Sequence, residues 1–553
     1  MKTLKYGLLA AMAALAVLTV AGGAGGRPAE PELGMAGKRS VTPDIAGFAK
    51  QHGPHSQSEC IAPPPRPPGD PSGANVLLDC DGPTPNNEPD IEVHTNDERH
   101  MVASSNDYES CCDEFYTTTN NGSSWFTGDM SRKSPQVTGS DPVTSYDRKH
   151  DVWIHSSLNY SFQYSTGEAC RGDLVVSRSY DGGFTWRPAT VVDNGVGCDL
   201  SNAQRFNDKE WMETDNSPSS PFYGRTYITW TKFISRSGEY LSSPIYESHS
   251  DDGGIHWSTP KEISGSNAAL CIDQTDGEAA GRCDENQFSV PTIGRDGIVY
   301  VAFQNSQNTT LWEGGEVYDD QYLLVKSTNG GGTWSVPSFV VGIEDGSRDY
   351  PLNVNGRQTL TGYQLRVNSA GNVVVDPRAG ATSNDLYLVF SDNRNGLHDS
   401  DEPATNTDVF LMSSTSGGQS WSGPRQVDDL DEAKSDQWFP WVDVNPVNGT
   451  VGVLYHDRVA GDPVHYETTL TEFPSGGGPG VKTDVSTAPS DPVHSRYFRA
   501  GVAGCGNCAT FHGDYIGLEY DRVGQAKMVW TDMRDLAADR PGLHLQFIYY
   551  ARK

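Results

Sequence analysis

From residue 75 onward the chain runs in short stretches of alternating apolar and polar side chains, punctuated by Gly, Asn, Asp and Ser. Such period-two runs read as half-buried β-strands. One series occupies 100–104, 151–155, 225–230, 299–303 and 386–390. A partner strand follows each, at 114–118, 174–179, 245–250, 322–327 and 409–414. The same couple recurs at 451–455 with 464–468, and at 527–530 with 543–550. These make seven copies of one unit. The last copy ends after its third strand, and the run 75–79 near the other end of the chain is free to supply a fourth.

Five copies carry a further signature directly after the partner strand. The clearest is Ser179-Tyr-Asp181-Gly-Gly183-Phe-Thr185-Trp186. Its counterparts begin at Ser250, Ser327 and Ser414, with a weaker first copy from Thr118 to Trp125. The closing tryptophans are 61, 71, 77 and 87 residues apart. Asp, Asn and Ser side chains bond backbone amides inside tight turns, and glycine reaches positive φ there. Each copy therefore predicts a hairpin turn with a large ring packed beside it.

These motifs resemble the Asp-box, or bacterial neuraminidase repeat, of sialidases and related β-propellers. The resemblance implies an all-β chain folded as a single β-propeller of four-stranded blades, with each box joining the third and fourth strands of a blade on the side away from any active site. The unit count gives seven blades, with six as the alternative because the sialidase domain has six. The strand at 75–79 would complete the last blade and remove an exposed edge. The resemblance further implies a carbohydrate-directed role, either as an exo-glycosidase of sialidase type or as a non-catalytic glycan- or protein-binding propeller. The chain lacks the Phe-Arg-Ile-Pro motif that carries the first sialidase arginine. Tyr363, Tyr455 and Tyr515 all compete for the place of that family's tyrosine nucleophile.

Composition agrees with a turn-rich β-protein: 59 glycines, 34 prolines and 10% aromatic residues in 553. The formal charge of −31 excludes nucleic acid and anionic membranes as natural partners. Lys2 and Lys5, an apolar run to Val20 and small residues at 21–24 read as a secretory signal peptide, so the protein is expected to be secreted. Residues 25–73 are Pro-rich and read as an irregular leader, leaving 74–553 for the propeller. Ten cysteines in an exported chain predict disulfides. Neighbours pair plausibly as Cys60–Cys80, Cys170–Cys198, Cys271–Cys283 and Cys505–Cys508, which leaves Cys111 and Cys112 for a vicinal bridge.

In a propeller, first-strand starts and second-strand ends open on one face. First-strand starts here are acidic, with Glu88, Asp141, Asp208, Asp436 and Asp514. Converging carboxylates serve acid–base chemistry, hold a cation or cap loop amides. Asp208, Asp436 and Asp514 are the catalytic candidates, and Glu88, Asp141 and Asp208 a candidate calcium set. The chemistry requires no other cofactor. Second-strand ends carry Asp392 with Arg394, Asp457 with Arg458, and Asp532 with Arg534. These three arginines either bind a substrate carboxylate or bridge to their own aspartates. His512 beside Asp514 is a further acid–base pair or a buried structural histidine.

Overall fold

A computed structural model describes residues 58–61 and 75–553, apart from the segments 80–84, 109–112, 131–137, 164–167, 197–202, 237–238, 273–280, 309–319, 346–348, 355, 381–383, 399–402, 429–434, 496–508 and 536–543. Every regular element among the described residues is a β-strand, and the strands form seven antiparallel sheets. Each sheet is a blade of a seven-bladed propeller. The innermost strands are Asn86–Val93, Thr138–Asp147, Ala203–Thr214, Asn286–Ile293, Val373–Val375, Gln437–Val444 and Gly517–Tyr520.

The predicted closure is present. Val76 and Leu77 pair with Tyr550 and Tyr549 as the outermost strand of the seventh blade, whose other strands come from the C-terminal end. The leader is not irregular throughout. Ser58–Ile61 pairs with Ser124–Asp129 and gives the first blade a fifth strand. The Cys271–Cys283 disulfide forms as expected. The other predicted cysteine pairs fall outside the described residues or in strand segments whose side chains are not described.

All five boxes form the turn between third and fourth strands. In the second blade, Ser179 Oγ donates to Asp181 Oδ1 and accepts from the Gly183 amide, while Asp181 accepts from the Thr185 amide at 2.9 Å. The same bonds recur around Asn120, Asp252, Asn329 and Ser416. The turns also dock on the preceding blade. Thr117 Oγ1 donates to Gly183 O, Arg178 to Gly254 O, Lys261 to Gly331 O and Lys326 to Gly417 O. Gly183 has φ 87°, and a Cβ there would sit 2.5 Å from Val102 Cγ2 of the first blade. Left-handed strain and overpacking should together make Gly183→Ala destabilising by about 2–4 kcal/mol. A thermal melt checks this; an unchanged melting temperature would remove the box from the blade–blade contact.

The inward edges of the first strands present amides with no neighbouring strand. Side chains of adjacent blades satisfy them. Asp90 accepts from the Thr144 amide, Glu92 from Tyr146, Asn372 from Val442, Asp443 from Tyr520 and Glu519 from Val93. This circular stitching accounts for much of the acidity of the first strands, because a buried amide without an acceptor is costly.

Candidate functional site at the channel mouth

Five first strands share one irregularity near their start. Each ladder shifts register there, and one residue turns into the left-handed region: Glu88 (φ 57°), Asp141 (57°), Lys209 (48°), Phe288 (57°) and Phe439 (51°). Pro89, Pro142 and Pro440 follow three of them, where a missing N–H does not matter. Such bulges cost roughly 1 kcal/mol each in strain and re-aim a side chain. Here they ring the neck of the channel.

Lys209 plugs that neck. It is 4% exposed, and its ammonium lies 4.2 Å from the Trp211 ring centroid and 4.0 Å from that of Tyr515. Burial pushes its pKa down, while the charges of Asp141, Glu88, Glu210 and Asp514 oppose that shift. Glu210 is fully buried, and no other described residue hydrogen-bonds its carboxylate. Burial, with the Asp141 charge, raises its pKa well above the ordinary range. Glu88 accepts from the Asn106 side chain, whose Oδ1 takes the Asp141 amide at 2.7 Å. The positive charge facing Glu88 and Asp141 is therefore the chain's own ammonium.

Asp514 sits beside this neck. It is ion-paired with the buried Arg366 and accepts from Asn368 Nδ2 at 2.9 Å. The Arg366 guanidinium is 4.4 Å from the Phe511 ring centroid. Asp208 accepts from Gln287 Nε2 at 3.1 Å. Glu88, Asp141, Asp208 and Asp514 thus gather around the mouth. Asp436 is tied to Arg458 at 3.0 Å and accepts from the Thr407 amide.

The three sequence-predicted arginines lie on this face in ion pairs. Arg394 and Arg534 grip Asp392 and Asp532 with paired bonds of 2.6–2.9 Å. Arg458 does not pair with Asp457. Adjacent residues of a strand point to opposite faces, so Arg458 turns to Asp436 and Asp457 to Lys482. His512 is buried, accepts from Trp438 Nε1 at 3.0 Å, and is held well below the ordinary histidine pKa by burial. Tyr515 is also buried and donates to Pro142 O at 3.3 Å. Tyr363 stacks under Arg458, and Tyr455 bonds Thr471.

Beside the mouth opens a small cleft of about 80 Å³. Phe233, Tyr240 and Phe288 give it aromatic faces, and Gln287, Gln304 and Asn368 give it amides. Asp320, Asp345 and Asp514 supply carboxylates, with Arg357 and Arg366 among them. Gln304 Nε2 donates to both Asp345 and Asp320. Sequence reasoning reached Asp514 alone in this set. Arg357, Arg366 and Asn368 come from the segment between the fourth and fifth blades. Below the neck the channel widens to about 350 Å³, where Asp90, Glu92, Glu213, Asp443 and Glu519 line the wall.

No family model matches the chain, and no curated protein does. Solved structures are similar in fold. The NanB sialidase of Streptococcus pneumoniae aligns with 82% of this chain and 83% of its own, at 7% identity and a TM-score of 0.40. An α-L-arabinofuranosidase of Fusarium graminearum aligns over 90% and 98%, at 8% identity and 0.40. An ulvan lyase aligns over 86% and 95%, at 10% identity and 0.46. At such identities and TM-scores the similarity says nothing of what this chain does.

Proposed function

We propose that the chain is a secreted, carbohydrate-directed propeller that hydrolyses a terminal glycosidic bond in the mouth cleft. The observation that carries this reading is the meeting, in one cleft, of aromatic faces, amides and carboxylates beside a guanidinium. Sugar C–H faces stack on rings, and hydroxyls exchange hydrogen bonds with amides and carboxylates. Glycoside hydrolysis asks for two carboxyl groups across the scissile bond. We assign these roles to Asp345 and Asp514 among the carboxyl groups of the cleft, which also include Glu285 and Asp320; Asp208 borders it through Gln287. Asn368 and Arg366 position Asp514. No cofactor enters this reading, and calcium at Glu88, Asp141 and Asp208 would compete with the Lys209 ammonium.

Asp345→Asn and Asp514→Asn are each expected to lower kcat on the cleaved glycoside by about 100-fold or more while the protein stays folded. A panel of fluorogenic glycosides, beginning with a sialoside, provides the readout. Folded wild-type protein that turns over no glycoside would sink the hydrolase reading. A specific observation favours a second one, glycan binding without turnover: Arg366, Arg394, Arg458 and Arg534 are all held in ion pairs. A glycan retained on an array yet not cleaved would select it.

A further inference from the structure

We propose that the mouth cleft selects a sugar bearing a free ammonium group, a hexosamine unit, over neutral and acidic sugars. This rests on the carbohydrate reading of the cleft and names the class of sugar it takes. Four carboxyl side chains line the cleft, Glu285, Asp320, Asp345 and Asp514, against two guanidiniums, Arg357 and Arg366. No lysine is among the lining residues. The local charge is negative, as is that of the whole chain at −31, and such a mouth draws in cations and repels anions.

Acidic groups alone also serve to cap loop amides, and Gln304 supplies the independent sign of a ligand. Its side chain lines the cleft at 7% exposure, and its Nε2 donates to both Asp320 and Asp345. An ionised carboxylate only accepts, so these bonds fix which end of the amide is nitrogen and turn Oε1 away from the two acids. No other described residue donates to that oxygen. A buried acceptor without a donor is costly, so the cleft calls for a ligand that donates. An ammonium brings three donors together with the complementary charge.

The neck shows how this face holds an ammonium. Lys209 Nζ lies 4.2 Å and 4.0 Å from the ring centroids of Trp211 and Tyr515, within the field of Glu88 and Asp141. The cleft repeats those parts, setting Phe233, Tyr240 and Phe288 beside its carboxylates. A sugar carboxylate calls instead for guanidiniums, and these are engaged: Arg366 by Asp514, Arg394 by Asp392 and Arg534 by Asp532. At about 80 Å³ the cleft admits a compact substituent. An N-acetyl group is bulkier and uncharged, so the free amine is taken in preference to its acetylated form.

The test is calorimetric titration of the full-length protein with the methyl glycosides of glucosamine, N-acetylglucosamine, glucose and glucuronic acid, each in both anomers. The glucosaminide should bind about 10-fold or more tighter than the N-acetyl and glucose forms, and the glucuronide should give no heat. Asp320→Asn keeps an oxygen for Gln304 but removes one charge. It should weaken glucosaminide binding by about 10-fold and leave the glucoside and the Tm unchanged. Equal affinity for glucosaminide and glucoside, tighter binding of the glucuronide, or wild-type preference in Asp320→Asn would each overturn the inference. Butylamine binding as tightly as the glucosaminide would also overturn it, by showing an amine site without sugar recognition. Cleavage of a neutral or acidic glycoside beside any of these outcomes would leave the hydrolase reading standing. A glucosaminide bound but not cleaved would uphold the inference and fail that reading alone.

Discussion

Replacing Leu78 by Asp, or deleting residues 1–79, is expected to leave the propeller unfolded at physiological temperature. Leu78 is fully buried, and its amide donates to Ile548 O at 2.8 Å. With Val76 it belongs to the apolar seam between the first and seventh blades, which also holds Ile91, Trp125, Ile548 and Tyr550. Truncating such a leucine costs about 2–5 kcal/mol, and forcing a carboxylate into its place adds several more. Total stability is typically about 5–15 kcal/mol. Asn75 adds a polar clasp. Its Oδ1 accepts from the Thr487 amide and hydroxyl and from Arg534, and its Nδ2 donates to Val485 O. Asn75→Ala should cost about 2–4 kcal/mol. Thermal melts and limited proteolysis read all three variants. A Leu78→Asp protein melting within a few degrees of wild type would mean that the ring closes without this strand.

The seven units were legible because half-buried strands keep period two, and the box recurs with the blades. Even the closing strand was legible, since a last unit with three strands requires a fourth from elsewhere. The gathering of Glu88, Asp141, Asp208 and Asp514 at one mouth follows from topology once blades are counted. The bulges were not legible. Whether Glu88 or Phe288 turns left-handed depends on the register of a ladder whose partner lies a dozen or more residues away. Arg366 and Asn368 were missed because they belong to no repeat. Their one trace is the widest tryptophan interval, 87 residues from Trp334 to Trp421, which marks an insertion without saying what it carries. The arginine pairings show what strand parity adds. Asp392 with Arg394 and Asp532 with Arg534 stand two apart and share a face, whereas Asp457 and Arg458 are adjacent and cannot.

Channel acidity should make the protein less stable as pH rises. Below the neck, burial pushes Asp90 and Asp443 up to about 7 and Glu213 to about 8. Glu92 and Glu519 rise well above the carboxylate range, through burial and then through each other or Glu213. The cations nearby are Lys209 at the neck, which lowers Asp90 slightly, and Arg295 on the channel wall. In the unfolded chain these groups lose their protons near pH 4, while the folded channel keeps them to pH 7 or 8. The folded state therefore binds more protons over that window, and stability falls from about pH 4 through pH 8 before levelling. A carboxyl whose pKa stands one pH unit higher in the folded state contributes about 1.4 kcal/mol at most. Water along the wall reduces that, leaving a summed loss of about 3 kcal/mol or more. Tm should accordingly be higher at pH 5 than at pH 8.5. Asp443→Asn keeps an oxygen for the Tyr520 amide but has no proton to lose, and Glu213→Gln likewise stays neutral. Each should raise Tm at pH 8.5 by about 2 °C or more and leave it unchanged at pH 5. A wild-type Tm that climbs with pH over this range, or variants that shift Tm equally at both values, would show that these carboxylates ionise freely in the folded channel.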